Sequence, residues 1–191
     1  TSNVTIDNST ISNNTATGNG GAIFQQDATI TIKNSTLDNN ASIAGGAIYN
    51  KFGSTVLDNA ILSNNRAVKD SSDKNGNGGA INIYMGKVTL ENINAQRNSA
   101  ENNGGGIYVS ASSVTLDKNS MFVGNSAAEH GGAVYLTYTT SNGAKAGSNL
   151  VANGTTFTEN TAKSGAAISI RSACSATLNG ATLNKNAATH T

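Results

Sequence analysis

The sequence predicts an all-β protein, a right-handed parallel β-helix (solenoid) of about seven coils with three short strands in each coil. Three patterns predict this fold, and each recurs about every 25 residues. They are an alternating apolar–Thr–apolar stretch, an apolar residue followed three places later by asparagine, and a glycine pair before an apolar residue. The density of glycine and asparagine is too costly for helices. The crossover rule for parallel strands gives the right-handed winding.

The composition fits one domain of this kind and excludes several classes of protein. Of the 191 residues, 37% are hydrophobic and 12% are charged, and the formal net charge is +1. We therefore expect neither nucleic acid as a partner nor direct insertion of this segment into a membrane. The one cysteine, Cys174, excludes an internal disulfide and a cysteine-based zinc site. We expect no cofactor and no metal.

The first strand of each unit is the alternating stretch, which begins with VTI at residues 4–6. Alternation directs the apolar side chains into the core and the threonines outward. Clear copies of the stretch occur at 30–32, 88–90, 114–116 and 176–178.

The second strand places an apolar residue in the core and an asparagine at the following corner. Amide side chains stacked along a solenoid can hydrogen-bond to the coils above and below them. Because every unit carries this asparagine, we interpret the column as a structural ladder and not as a catalytic site. Its members are Asn14, Asn40, Asn65, Asn98, Asn125, Asn160 and Asn186.

The third strand follows the glycine pair, which we expect to supply positive φ or close backbone approach at a corner. Ile23, Ile48 and their equivalents then face inward, and the next residue faces outward. The outward column contains aromatic side chains that can contact a partner or stack on one another across coils. The aromatic candidates for partner binding are Phe24, Tyr49, Tyr108 and Tyr135.

The period is broken at residues 68–77 and 137–149, where polar segments are inserted. Insertions in repeat proteins leave the solenoid as surface loops, which serve as binding loops or are simply tolerated. The candidate binding residues in these two loops are Lys69, Asp70, Asp73, Lys74, Tyr138, Asn142 and Lys145.

The repeated motifs resemble those of the chlamydial polymorphic membrane protein family and of autotransporter adhesin passengers. The motif GGA(I/L/V) occurs at 20–23, 45–48, 78–81 and 131–134, and FxxN occurs at 122–125 and 157–160. The resemblance implies a non-enzymatic adhesin at the bacterial cell surface, outer-membrane-anchored or secreted, that mediates host-cell attachment or self-association. Its partner would be a host-cell surface protein or glycan, or the same protein on another cell. We expect residues 1–191 to be a single β-helix fragment of a longer passenger, since neither end shows a polar capping repeat.

The alternative is a fragment of a polysaccharide-active β-helix enzyme, a lyase or hydrolase. Such an enzyme needs converging acidic residues, and Asp58 and Glu91 are expected to be stacked neighbours. They lie in an outward column that we read mainly as a charge-alternating surface ladder. We predict that this column consists of Asp7, Lys33, Asp58, Glu91, Lys118, Asn153 and Asn179. Glu129 and His130, and likewise His190, are expected to be solvated residues outside any site.

Overall fold

A computed structural model describes residues 2–117 and 119–189 and confirms the parallel β-helix of about seven coils. Lys118 and His190 lie outside the described residues. Each regular coil contributes one strand to each of four parallel sheets, which we call sheets A to D in the order in which the chain visits them. The prediction of three strands per coil was therefore wrong by one. The strand that was not predicted is that of sheet C, which is too short to show alternation in the sequence. The winding sense stays a prediction of the crossover rule.

Sheets A and B contain the two strands predicted first. Sheet A has the threonine-bearing strands Ser2–Asp7, Ala28–Lys33, Ser54–Asp58, Lys87–Glu91, Ser113–Asp117, Asn149–Asn153 and Ser175–Asn179. Sheet B has the strands before the asparagine corner, Thr10–Ser12, Thr36–Asp38, Ile61–Ser63, Asn94–Gln96, Met121–Val123, Thr156–Thr158 and Thr182–Asn184.

Sheets C and D form the other half of the coil. Sheet C has the two-residue strands Ala41–Ser42, Arg66–Ala67, Ser99–Ala100, Ser126–Ala127, Thr161–Ala162 and Ala187–Ala188. Sheet D follows the glycine pairs and has the strands Ile23–Gln26, Ile48–Lys51, Ile81–Tyr84, Ile107–Ser110, Val134–Thr137 and Ile168–Ile170.

The core is a continuous column of side chains from the inward positions of sheets A, B and D. Leu57, Leu62 and Ile81 are completely buried, and the rings of Phe122 and Phe157 stack with their centroids 5.3 Å apart. Each such side chain contributes about 1.5–3 kcal/mol by leaving water. The core therefore fixes the register in which each coil lies on the next.

The asparagine column is buried from Asn40 to Asn160, and its amides form an unbroken ladder. The Asn65 Nδ2 donates to Asn98 Oδ1 at 3.0 Å, and the Asn65 backbone N–H donates to the same oxygen at 3.0 Å. The same Nδ2 also donates to the carbonyl of Leu37 at 2.9 Å. The motif of an apolar residue three places before asparagine thus has one cause: the apolar side chain fills the core, and its carbonyl accepts the amide of the next coil.

The two glycines of each pair have different tasks. Gly78 adopts φ +74°, whereas a Cβ on Gly79 would lie 2.1 Å from the carbonyl oxygen of Gly105. It would also lie 2.6 Å from the carbonyl oxygen of Ser99, in the sheet C strand of the next coil. The first glycine therefore supplies positive φ and the second supplies close approach, the two roles that were predicted as alternatives for the pair. The same crowding explains why sheet C buries only small side chains, such as Ala100.

Candidate binding surface

The outward aromatic column on sheet D is divided into two ring pairs. Phe24 and Tyr49 stack in parallel with their centroids 5.6 Å apart, and Tyr108 and Tyr135 pack at 5.5 Å. Asn82 occupies the position between the pairs, where it is buried and its amide donates to the carbonyl of Asn77. The rings therefore interact with each other across coils, so each pair also stabilises the sheet.

The two pairs differ in how far their rings are exposed. The Phe24 side chain is 54% exposed, whereas Tyr135 is only 4% exposed. The ring of His130 stacks on Tyr135 at 5.9 Å. Burial raises the pKa of Tyr108 to about 12, and the neighbouring Tyr135 adds to this effect. The expectation that Tyr135 is open to a partner was wrong, because packing against neighbouring coils covers its ring.

The first inserted loop is a compact hairpin at the corner between sheets C and D. An antiparallel bridge between Lys69 and Asn75 closes it, and the flanking hydrogen bonds pair Gly76 with Asn102 of the next coil. This register limits the insertion to residues 69–75 within the predicted 68–77 segment.

Asp70 organises this loop from inside. Its Oδ1 accepts hydrogen bonds from the backbone N–H groups of Ser72 and Lys74 at 2.9 and 3.1 Å, and its Oδ2 accepts from Asn75 Nδ2. The hydrogen bond from the Ser72 hydroxyl is the largest cause that lowers the pKa of Asp70 to about 2. Asp70 is therefore committed to the turn, and the groups that the loop presents to solvent include Lys74 and Asp73.

Lys69 belongs to a small charged group on the first loop. Its backbone N–H donates to Glu101 Oε2 at 2.8 Å, and its ammonium lies 3.4 Å from Asp73. Glu101 also pairs with Arg66 of the previous coil. Surface pairs of this kind contribute little stability, and they neutralise most of the charge at this corner.

The second inserted loop is a β-hairpin at the corner between sheets D and A. Its strands Thr139–Ser141 and Ala144–Ala146 are antiparallel, and Asn142 and Gly143 form the turn with φ +48° and +78°. Both values suit the Asn-Gly pair of a tight hairpin. Because Thr137 pairs with Ser110 and Asn149 with Ser113, the insertion is limited to residues 138–146 within the predicted 137–149 segment.

The base of this hairpin gathers polar groups that are distant in sequence. The Lys145 ammonium lies 4.5 Å from the ring centroid of Tyr138 and donates to the Ser172 hydroxyl at 3.1 Å. The hydrogen bond of Ser172 and the charge of Lys145 lower the pKa of Tyr138. Arg171 is close to the phenol groups of Tyr135 and Tyr138, which raise the pKa of Arg171. We call Tyr138, Lys145, Arg171 and Ser172 the hairpin cluster.

Tyr138 and Lys145 are among the binding residues predicted from the sequence, whereas Arg171 and Ser172 are not. The available signal was the coil register, since Leu136 pairs with Ile170 and thus places Arg171 beside the start of the hairpin. An exposed apolar corner was also not predicted; there, Phe52 and Met85 are 42% and 45% exposed and line an open groove.

The polar column on sheet A differs from its prediction at one position. Asp117 occupies the place beside Glu91 that was predicted for Lys118, because the corner before Met121 has one residue more than the corner before Asn94. Asp58, Glu91 and Asp117 therefore lie side by side on three neighbouring strands, and Asn153 Nδ2 donates to Asp117. Glu129 pairs with Lys163 at 3.4 Å. No group of acidic, histidine or cysteine side chains suited to a metal ion occurs within the described residues.

The structure contains no helix that could cross a membrane in the described part of the chain.

Comparison with known families identifies the repeat itself. Residues 8–26, 113–137 and 154–171 match the Chlamydia polymorphic membrane protein repeat. Each matched segment contains one ladder asparagine and the glycine corner that follows it. The match confirms the resemblance carried by the GGA(I/L/V) and FxxN motifs, and the chain carries repeats of this type. Comparison with curated proteins and with solved structures gave no match.

Proposed function

We propose that this chain is part of a bacterial surface adhesin in which the β-helix is a rigid support and the inserted loops and exposed aromatic side chains bind the partner. The observation that carries the proposal is the contrast between the two kinds of position. The asparagine ladder and the core repeat in nearly every coil and are buried, whereas the hairpin cluster occurs once and is exposed at Lys145, Arg171 and Ser172.

The repeat type supports a location at the outer membrane or cell surface. A stiff stack of coils suits this location because it holds several weak contacts at fixed spacing, and their combined avidity exceeds each single affinity. The partner is a protein or glycan of the host-cell surface, or a second copy of the protein on another cell. The protein acts by binding and not by turnover.

A polysaccharide-active enzyme is the second candidate, and the row of Asp58, Glu91 and Asp117 favours it. The three carboxylates are half-buried on the outer face of sheet A. Retaining and inverting glycosidases both use two carboxyl groups on either side of the scissile bond. Side chains in one row along a sheet lie on the same side of any bound sugar, so this arrangement suits a surface ladder better than an active site.

The test is an adhesion assay with beads coated with the folded chain. We expect coated beads to attach to host cells, or to one another, more than beads coated with the heat-unfolded chain. Equal attachment of both bead types would contradict the proposal. The enzyme candidate would replace the adhesin if the chain released reducing ends from polysaccharides and the variants Asp58→Ala and Glu91→Ala lost this activity.

A further inference from the structure

We propose that the hairpin cluster binds the sulfate or carboxylate groups of an acidic glycan. The inference rests on the proposed function and names the chemical class of the partner. It follows from the way in which two cations, two hydroxyl groups and an aromatic ring converge at the base of the second inserted loop.

The geometry holds the Lys145 ammonium and the backbone of Arg171 in place before any ligand arrives. Lys145 is fixed between the Tyr138 ring, 4.5 Å from its centroid, and the Ser172 hydroxyl at 3.1 Å. The turn that carries Arg171 is closed by a hydrogen bond from the Cys174 N–H to the Arg171 carbonyl at 3.2 Å. A long cationic side chain that is already ordered loses less conformational entropy when it binds an anion.

The charges around the cluster are not neutralised by the protein. Within the described residues, neither Lys145 nor Arg171 forms an ion pair with a carboxylate, and Glu129 pairs with Lys163. The distribution of charge along the chain also favours a positive surface in the part that carries the cluster. Nine of the 11 acidic residues precede residue 118, whereas Lys145, Lys163, Arg171 and Lys185 all follow it.

The chemistry of the cluster fits an acidic sugar. A guanidinium binds sulfate or carboxylate through two parallel hydrogen bonds, and an ammonium adds a point charge. The hydroxyl groups of Tyr138 and Ser172 can exchange hydrogen bonds with sugar hydroxyls, and aromatic rings pack on the apolar faces of sugars. A formal net charge of +1 gives no broad positive field of the kind that holds nucleic acid.

The test compares binding of the purified chain to heparin, which is sulfated, to hyaluronate, which carries only carboxylates, and to neutral dextran. We expect binding to one or both acidic polymers and none to dextran. The double variant Lys145→Gln/Arg171→Gln should bind at least about tenfold more weakly, as expected for the loss of two charge-assisted contacts. The matched control Lys87→Gln/Lys185→Gln removes the same charge elsewhere and should change affinity less than about twofold.

The inference is overturned if the chain binds neither acidic polymer, if the two double variants bind alike, or if duplex DNA binds more tightly than heparin. Failure of the glycan-site proposal can be distinguished from failure of the adhesin proposal. Beads that adhere to cells equally well with and without the Lys145→Gln/Arg171→Gln change would refute the glycan site and leave the adhesin in place. Heparin binding without any cell attachment would refute the adhesin.

Discussion

The ladder asparagines show how one residue type can specify a corner. From Asn40 to Asn160, each amide donates two hydrogen bonds and its oxygen accepts two, so all of its polar capacity is used inside the protein. Serine is too short and aspartate lacks the donors, which accounts for the absence of exceptions in the column. The repeated asparagine column of this chain is thus a structural feature and not a row of binding or catalytic sites.

At the residue scale, we predict that Asn98→Ala destabilises the chain by about 3 kcal/mol. Asn98 is completely buried, and its loss leaves the Asn65 N–H and Nδ2 groups and the Leu62 carbonyl without their partner. Chemical denaturation measures the effect, and exposed Asn184→Ala is the control. Equal unfolding midpoints for the two variants would show that the ladder does not contribute to stability.

The tyrosines give a second prediction at this scale, read from phenolate absorbance in an alkaline titration. Tyr138 should ionise before Tyr108, because the hydrogen bond of Ser172 and the charge of Lys145 lower the pKa of Tyr138, and Tyr108 should ionise only near pH 12. The folded-state pKa of Tyr108 is above its unfolded value, so its contribution to stability is complete below pH 10 and is lost as the pH rises through 12. Tyr138→Phe should remove phenolate absorbance from the early part of the titration, and an unchanged early part would mean that Lys145 and Ser172 do not contact the phenol.

At the scale of the element, the glycine corner decides how closely sheets C and D approach. We predict that Gly79→Ala destabilises the chain by about 3 kcal/mol, because the new Cβ would overlap the Gly105 and Ser99 carbonyls. Gly18→Ala is the matched control, since nothing lies within 4 Å of the added methyl group. Thermal unfolding of the two variants separates crowding from a general effect of glycine replacement. Similar midpoints would contradict the close-approach role of the second glycine.

Most elements were predictable because each leaves a periodic mark on the sequence. The strands of sheets A, B and D combine a core residue with a special corner residue, whereas a strand such as Ala41–Ser42 in sheet C has two residues and no period. The limits of the insertions and the place of Asp117 needed the register of neighbouring coils, which depends on single-residue shifts. The burial of Tyr135 depends on packing across coils, and a single chain position carries no signal for it.

At the scale of the whole molecule, the regular coils and the proposed binding loops occupy different places. The four sheets impose the same spacing on every coil, so a partner that binds the regular face of one coil could bind the neighbouring coils equally well. The two insertions break this equivalence at different corners, one between sheets C and D and one between sheets D and A. Selective binding is therefore expected at the loops, and the repeated faces supply rigidity.

The measurement that tests this account most directly is cell attachment by a chain that lacks residues 69–75 and 138–146. The deletions join Val68 to Gly76 and Thr137 to Gly147, which reproduces the uninterrupted corners of the next or previous coil. We predict an unchanged β-sheet circular dichroism spectrum and the loss of most attachment, while Thr89→Ala on the regular face of sheet A attaches like the intact chain. A folded, loop-free chain that attaches as strongly as the intact one would contradict the account.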